Sequence, residues 1–252
     1  MSAKRKEQIV ALLKGIETGD PKSVEVVNQD KYIQHNPLTL EGGEGLAALF
    51  KRLSNTNPRV NIVRIFSDGD YVFGHTEYDF SASRVGFEIF RFEGEQAVEH
   101  WDNIQTRKGP NASGHSMVDG QTEVTDQNLT EINRALVERF VSSVLIPRQF
   151  GQLTDFISET YTEHNPVLRD GVASLHAALS KKSPDTLIQY NKVHHILAEG
   201  NFVLTACEGA RGTEETSFYD LFRISDGRIV EHWDTSEAIP PRSEWKNENG
   251  KF

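Results

Sequence analysis

Acidic and histidine side chains near the end of each half of the sequence have the types and spacing that proton transfer requires. In the motif EHWD at residues 99–102, which reads as a β-strand, His100 and Asp102 share one face because side chains alternate along a strand. Glu88 comes from the preceding strand-like run and lies beside them if the turn at Glu93-Gly94 pairs the two runs. Carboxylates in different environments take different pKa values, so one can act as a base and another as an acid.

The second half repeats this set with Asp220, His232 and Asp234. The sequence therefore predicts a catalytic cluster in each half, formed by two acids and a histidine on one apolar face. The alternative stays open that these side chains hydrogen-bond only to hold a sheet edge or an interface between domains.

A second motif, His-Asn-Pro, stands early in each half. His35 lies 67 residues before Asp102, and His164 lies 70 residues before Asp234. Both histidines are predicted site residues that polarise a substrate oxygen or orient the acid. A local role is equally open, since Asn bonds nearby backbone groups and proline disfavours a helical conformation in the residue before it.

Further candidates are unequal between the halves. His75, on a predicted strand, is a catalytic candidate in the first half and aligns with Thr205 in the second. Together with His35, His100 and Asp102 it would offer ligands to a metal, but no close pair such as HExxH supports a metal site. We therefore expect neither a metal nor another cofactor. The predicted substrate-binding residues are aromatic, although the tryptophans are also open to a core role: Tyr32, Tyr78, Trp101, Tyr161 and Trp233.

The two motifs define an internal repeat. Residues 32–37 (YIQHNP) match residues 161–166 (YTEHNP) at an offset of 129, and residues 99–102 match residues 231–234 at an offset of 132. A period of this length is typical of whole domains in tandem and too long for a solenoid. The sequence predicts one domain over residues 1–122 and a second over residues 123–252.

Each half shows the same order of predicted elements. A helix comes first, at residues 4–18 and about 129–145, followed by a shorter helical stretch, the HNP turn and another helix at 43–53 and about 172–181. Four strand-like runs with turn signals between them complete each half. The first helices carry apolar stripes at helical spacing: Ile9, Leu12, Leu13 and Ile16 in one, and Ile132, Leu136, Phe140 and Val144 in the other. Helices segregated from antiparallel strands predict an α+β fold, with a pocket suited to a small molecule.

The composition excludes several partners. A formal net charge of −10 argues against nucleic acid or an anionic membrane surface, both of which require a basic face. No run is long and apolar enough for a signal peptide or a membrane span, so a cytoplasmic location is expected. The single cysteine, Cys207, excludes an internal disulfide and, within an apolar run, is predicted to be buried. The polar, glycine-rich residues 106–125 are expected to link the domains.

The motif order resembles the SnoaL-like polyketide cyclase family of the nuclear-transport-factor-two-like superfamily, and more narrowly its aldol-condensation subgroup. The pattern begins with YIQHNP, followed by an acidic residue and glycine. It continues with an acidic residue, a hydrophobic residue, Phe and Arg, and ends with GxIVEHWD. Residues 219–223 and 227–234 fit these last two parts closely. The resemblance implies two tandem cone-shaped α+β-barrel domains, each a curved antiparallel sheet wrapped around about three helices. It also implies sheet-to-sheet pairing, here an intrachain pseudo-dimer, and leaves a further homodimer open.

The resemblance also implies roles for individual residues. In the cyclases the late-strand Asp is the general acid/base of an intramolecular aldol closure, and this role carries over to Asp102 and Asp234. The neighbouring position on the preceding strand carries over to Glu88 and Asp220, where the cyclases have histidine.

We therefore expect a cofactor-independent acid/base enzyme of the cyclase, isomerase or aldol type, acting on a small carbonyl-containing molecule. Asp102 or Asp234 would move a proton at the carbon next to the carbonyl or at its oxygen. Two alternatives stay open: a non-catalytic small-molecule binding module, and a metal-dependent enzyme that uses His and Asp.

Overall fold

The computed structural model describes residues 2–183 and 185–252. By their internal contacts these residues form two compact units. The first comprises the chain up to Thr106 together with Pro240–Phe252, and the second comprises Arg107–Ile239. The predicted linker thus belongs to the second unit from residue 107 onward. The domain boundary expected from the sequence repeat, between residues 122 and 123, stays a prediction.

The first unit begins with helices and ends with strands. Helix α1 is Ser2–Thr18, a 3-10 turn follows at Pro21–Val26, and helix α2 is Gly42–Ser54. The strands are β1 (Ile33–Gln34), β2 (Arg59–Asp68), β3 (Tyr71–Asp79), β4 (Ser83–Glu93) and β5 (Gln96–Thr106). The returning segment, residues 240–252, adds one 3-10 turn at Arg242–Glu244.

The second unit repeats this order. Helix α3 (Thr130–Phe140) continues into a π-helical turn at Val141–Leu145, and helices α4 (Leu153–Phe156) and α5 (Val172–Leu179) follow. The strands are β6 (Ile157–Glu163), β7 (Ile188–Glu199), β8 (Phe202–Arg211), β9 (Glu214–Ser225) and β10 (Arg228–Ala238). Across the described residues of both units, no helix has the length and apolar content that crossing a membrane requires.

Each unit contains one five-stranded sheet, with the orders β1-β5-β4-β3-β2 and β6-β10-β9-β8-β7. The predicted α+β class is confirmed, and four strands of each sheet pair antiparallel as expected. The fifth strand differs from the prediction, because β1 and β6 run parallel to β5 and β10. Strand β1 has only two residues, too few to show a period of two in the sequence.

The parallel pairing joins the two sequence motifs. Gln34 lies opposite His100, and Glu163 lies opposite His232. The backbone N–H of His35 donates to the His100 carbonyl at 2.9 Å, and that of His164 donates to the His232 carbonyl at 3.0 Å. Each HNP turn therefore begins beside the EHWD strand of its own unit.

The predicted apolar stripe of α1 is buried along its whole length. In α3 the prediction is wrong for Ile132, which is 62% exposed. The buried face runs instead through Asn133, whose side-chain amide donates to the Gly200 carbonyl at 2.8 Å. The predicted tight turns form at Gly94 and Gly227, whose φ angles of 61° and 70° favour glycine.

Candidate acid–base site

A cavity of about 380 Å³ lies in the first unit between one face of the sheet and helices α1 and α2. Much of its wall is apolar, with Leu12, Ile16, Phe50 and Phe90 among the lining residues. Such a wall suits a small molecule with few polar groups. Polar side chains also enter the wall, including Tyr32, Gln34, Asn36, Tyr78, Glu88, His100 and Asp102.

Strands β4 and β5 bring three predicted residues of this half together. Glu88 lies directly opposite Asp102 in the antiparallel register, and His100 is on the same face two residues earlier. One potential ligand atom from each of the three lies within 4.8 Å of the others, and all three side chains are buried. The residues therefore form one cluster in the cavity wall.

The His100 ring carries a proton on Nδ1. This nitrogen lies 3.0 Å from Gln34 Oε1, which also accepts a hydrogen bond from the Asn36 backbone N–H at 2.9 Å. Because Gln34 presents an oxygen here, Nδ1 must be the donor. On the other side, Nε2 lies 2.8 Å from Glu88 Oε2. His100 and Glu88 are thus hydrogen-bonded to each other.

The other oxygen of Glu88 is also bonded. The Tyr78 hydroxyl donates to Glu88 Oε1 at 2.7 Å. Burial, with the charge of Glu88 adding to it, raises the pKa of Tyr78 well above its usual value, so the phenol stays a neutral donor. Tyr78, Glu88, His100 and Gln34 form a buried hydrogen-bonded chain.

Asp102 has one bonded and one unbonded oxygen. Asn36 Nδ2 donates to Oδ2 at 2.8 Å. Oδ1 is buried and has no hydrogen-bond partner among the described residues, although the Lys251 ammonium lies 3.5 Å away. A buried acceptor left in this state costs free energy until something binds it. Asp102 lines the cavity, so Oδ1 is suited to accept a proton from a bound molecule.

Tyr32 supplies a second unbonded group on the same cavity. Its side chain is buried, and its hydroxyl has no hydrogen-bond partner in the described part of the chain. Burial, reinforced by the charges of Glu88 and Asp102, raises the pKa of Tyr32 well above its usual value, so the phenol keeps its proton. Tyr32 and Asp102 therefore both line the cavity, and each has one buried polar atom without a hydrogen-bond partner among the described residues.

The returning segment completes this site. The Lys251 ammonium is buried and donates to the Asp102 backbone carbonyl at 2.8 Å. Asn247 Nδ2 donates to the Asn36 backbone carbonyl at 2.8 Å. These bonds hold both the late strand and the HNP turn, which carry the groups that face the cavity.

In the second unit, His232 has a carboxylate on each side. Its Nδ1 lies 3.0 Å from Glu163 Oε1, and its Nε2 lies 3.0 Å from Asp220 Oδ1. Burial alone lowers the pKa of His232, but the charges and hydrogen bonds of the two carboxylates raise it well above its usual value. His232 is therefore an imidazolium at neutral pH.

Two tyrosines complete the second cluster. The Tyr161 hydroxyl donates to Glu163 Oε2 at 2.7 Å, and the Tyr190 hydroxyl donates to Asp220 Oδ1 at 3.2 Å. Tyr190 comes from β7, whereas the corresponding donor of the first unit, Tyr78, comes from β3. In each unit a tyrosine hydroxyl thus donates to the acid on the strand before the last, Glu88 or Asp220, but the tyrosine comes from a different strand.

Asp234 is bonded on both oxygens by Asn165 Nδ2, at 3.0 and 2.7 Å. Burial raises the pKa of Asp234 from 3.8 to about 6; His232 opposes this rise, and Glu163 and Asp220 add to it. A cavity of about 260 Å³ adjoins Asp234, and another of about 30 Å³ adjoins His232.

His35 lies away from the cavity of its unit. Alternation along β1 places it on the face opposite Gln34. Its Nε2 lies 2.9 Å from Glu99 Oε1, and its ring stacks on Trp101 with centroids 4.7 Å apart. Neither His35 nor Trp101 lines the 380 Å³ cavity, and their predicted roles in catalysis and substrate binding stay predictions.

His164 makes the same contacts with a glutamate and a tryptophan in the second unit. Its Nε2 lies 2.9 Å from Glu231 Oε1, and its ring stacks on Trp233 with centroids 4.6 Å apart. The cavities beside Asp234 and His232 are lined by neither His164 nor Trp233. In both halves the HNP histidine thus bonds the Glu of EHWD rather than its His or Asp.

His75 lies on the face of the sheet that Glu88 does not share. It is opposite Phe87 in the register, is fully buried, and has Nδ1 3.1 Å from Arg64 Nη1. The structure therefore does not bring His75 into the cluster in the cavity wall.

The sheet registers also correct the alignment of the halves at this point. Gly74 lies opposite Glu88, and Thr205 lies opposite Asp220. Thr205 therefore corresponds to Gly74, and the predicted match between His75 and Thr205 is wrong by one residue.

Sequence reasoning missed several side chains of these sites. Gln34 and Asn36 flank His35, so the alternation of an extended segment is a signal that could have found them. Lys251 has no such signal, because it is 149 positions from Asp102 in the sequence. Cys207, predicted to be buried, is fully buried, and burial raises the pKa of its thiol.

The chain matches no protein-family model and no curated protein at a significant level. Solved structures with similar folds include a candidate ketosteroid isomerase from Kribbella flavida (22% identity, 45% of this chain and 84% of that one, TM-score 0.39). Another is a candidate polyketide cyclase from Bacillus cereus, with 14% identity over 40% of this chain and 74% of that one and a TM-score of 0.37. A third is an LEH-like epoxide hydrolase from M. tuberculosis, with 23% identity over 43% of this chain and 84% of that one and a TM-score of 0.34. At these identities nothing about the chemistry of the site follows from them.

Proposed function

We propose that the first unit is a cofactor-independent acid/base catalyst acting on a small, largely apolar carbonyl compound. The observation that carries this proposal is that Tyr32 and Asp102 line the same cavity, and that the Tyr32 hydroxyl and Asp102 Oδ1 have no hydrogen-bond partner among the described residues. A carbonyl compound offers an acceptor oxygen and, on the adjacent carbon, an acidic C–H, which match a donor and a base.

Asp102 is the base. Its Oδ1 removes the proton from the carbon next to the carbonyl, and the electron pair of the broken C–H bond forms an enolate. The proton is returned to another carbon of the same molecule in an isomerisation, or to the new alkoxide after the enolate attacks a second carbonyl. Either course leaves Asp102 as it began, so no further reactant is consumed.

Tyr32 stabilises the charge that develops. Its phenol keeps its proton and donates to the enolate oxygen in a buried space, where such a hydrogen bond contributes more than in water. Glu88 and His100, hydrogen-bonded to each other, line the same cavity.

The second unit has a different role in this proposal. His232 is held as an imidazolium between two carboxylates, and both oxygens of Asp234 are already bonded to Asn165. Turnover therefore belongs to Asp102, and the second unit is a diverged copy from a tandem duplication. The matching strand orders and the nearly constant motif offsets, 129 and 132, support duplication. An intrachain pseudo-dimer, a further homodimer and a cytoplasmic location stay predictions.

Deuterium exchange tests the proposal without a known substrate. The full chain is incubated in D₂O with a panel of apolar ketones and β-keto esters, and deuterium incorporation next to the carbonyl is followed by NMR. The expected result is enzyme-dependent exchange that survives a metal chelator. Binding without exchange across the panel would favour a non-catalytic binding module, and exchange abolished by the chelator would favour a metal enzyme built on Glu88, His100 and Asp102.

A further inference from the structure

We propose that the second unit contains a binding site for a divalent transition metal, formed by His115, Asp119 and His164. One ligand atom from each of these residues lies within 4.8 Å of the others. None of the three lines the cavities beside Asp234 and His232. The site is therefore separate from the acid–base clusters.

His164 is oriented as a metal ligand is. Its Nε2 is taken by Glu231 Oε1 at 2.9 Å, and the ring is fully buried and stacked on Trp233. This leaves Nδ1 facing two oxygens, Asp119 Oδ1 at 2.7 Å and the Ser116 carbonyl at 2.8 Å. Without a metal this nitrogen must carry a proton, and a metal would replace that proton.

His115 provides the second imidazole. Its ring lies edge-on to that of His164, with centroids 5.3 Å apart. Its Nε2 lies 3.2 Å from Asp170 Oδ2. Asp170 thus lies beside His115. The Glu231 carboxylate holds the other ring nitrogen of His164, as a carboxylate commonly does for metal-binding histidines.

The loop that carries His115 and Asp119 is already ordered. Asn111 Oδ1 accepts hydrogen bonds from the backbone N–H groups of Ser113 and His115, at 2.9 and 3.1 Å. Ser116 Oγ accepts from the Asp119 N–H at 3.1 Å. The loop is also tied to the sheet, since Asn111 Nδ2 donates to the Glu163 carbonyl at 2.6 Å. Little chain entropy is lost when the ligands assemble.

The ligand types select the metal. Two imidazoles and one carboxylate suit Zn²⁺, Co²⁺, Ni²⁺ or Cu²⁺, whereas Mg²⁺ and Ca²⁺ prefer oxygen ligands alone. Three protein ligands leave a fourth position for water. The Asp119 side chain is 47% exposed, so the site opens to solvent and an ion can enter.

The described residues of the first unit show no equivalent of this cluster. His35 repeats the contacts of His164 with a glutamate and a tryptophan. Among the described residues, however, no cluster of potential metal ligands includes His35. The second histidine and the aspartate come from the loop after residue 106, which belongs to the second unit.

Calorimetric titration of Zn²⁺ into the full, untagged, chelator-treated chain tests this site, with visible absorption of bound Co²⁺ as a second readout. The variants His115→Ala and Asp119→Asn alter loop side chains and leave the buried His164 in place. His176→Ala removes an exposed histidine of α5 as a matched control, and Asp102→Asn controls for binding at the acid–base cluster.

The expected result is one saturable Zn²⁺ site per chain with a Co²⁺ spectrum typical of imidazole ligation. The affinity for Zn²⁺ should fall about 10- to 100-fold in His115→Ala and in Asp119→Asn. It should stay unchanged in both controls. The proposal is overturned if the wild-type chain shows no saturable binding, if binding survives both loop variants, or if Asp102→Asn removes it.

Discussion

Gln34 and Glu163 hold the same position in the two units, each facing Nδ1 of the histidine on the last strand, at 3.0 Å. An amide oxygen faces His100, whereas a carboxylate faces His232. The carboxylate of Glu163 is one of the two that hold His232 as an imidazolium.

Glu163→Gln should therefore lower the pKa of His232, because the imidazolium loses the attraction of one of two close carboxylates. The ring ¹⁵N shifts of His232, followed by NMR across pH, measure the change. Asp155→Asn serves as the charge control. It also removes one acid, from helix α4, but Asp155 is not among the residues that bond His232. A His232 titration unchanged by Glu163→Gln would contradict the account of this cluster.

Asp234→Asn should stabilise the protein more at high pH than at low pH. The folded pKa of Asp234 is raised to about 6 from 3.8, so the wild-type chain loses stability as pH rises through this window and the buried carboxyl ionises. The difference in unfolding free energy between variant and wild type should grow by up to about 3 kcal/mol between pH 4 and pH 7. Urea unfolding at several pH values measures it, and a difference that is flat with pH would refute the burial argument.

Tyr32→Phe should separate catalysis from stability. The removed hydroxyl has no hydrogen-bond partner among the described residues, so the unfolding free energy should change by less than about 0.5 kcal/mol. The exchange rate should fall about 100- to 1000-fold, because the enolate loses its donor.

Tyr78→Phe is the matched comparison, since its hydroxyl does bond Glu88. It should cost about 1 kcal/mol or more of stability by leaving a buried acceptor unpaired. Equal stability losses in the two variants would mean that the Tyr32 hydroxyl has a partner in solution.

Lys251→Met should lower the exchange rate about 10- to 100-fold, because a displaced base no longer meets the substrate C–H. The buried ammonium donates to the Asp102 backbone carbonyl at 2.8 Å and lies 3.5 Å from Asp102 Oδ1, so its loss removes a group that positions the base. Lys246→Met, at an exposed lysine of the same segment, should leave the exchange rate unchanged. A wild-type exchange rate in Lys251→Met would show that the returning segment does not position Asp102.

Much of the first cluster could be predicted from local sequence. Alternation placed His100 and Asp102 on one face, and the Glu93-Gly94 turn placed Glu88 opposite Asp102. Strand alternation and a tight turn both depend on residues close in the chain. The local sequence pattern was therefore sufficient to predict that these three side chains lie together.

The position of His35 depends on the parallel pairing of β1 with β5, which the sequence pattern does not show. The HNP motif was expected to face the cavity through its histidine, but the parallel strand β1 presents Gln34 on that side instead. Lys251 shows the same limit, since the contact of a distant segment with Asp102 is set by tertiary packing rather than by local spacing.

The most direct test of the central claim compares Asp102→Asn with Asp234→Asn in the D₂O exchange assay, using the ketone that the wild-type chain exchanges fastest. Asp102→Asn should lower the enzyme-dependent rate by about 100-fold or more, since the base is lost, while Asp234→Asn keeps most of it. Both variants should retain the wild-type circular dichroism spectrum. Exchange that persists in Asp102→Asn, or disappears only in Asp234→Asn, would contradict the assignment of catalysis to the first unit.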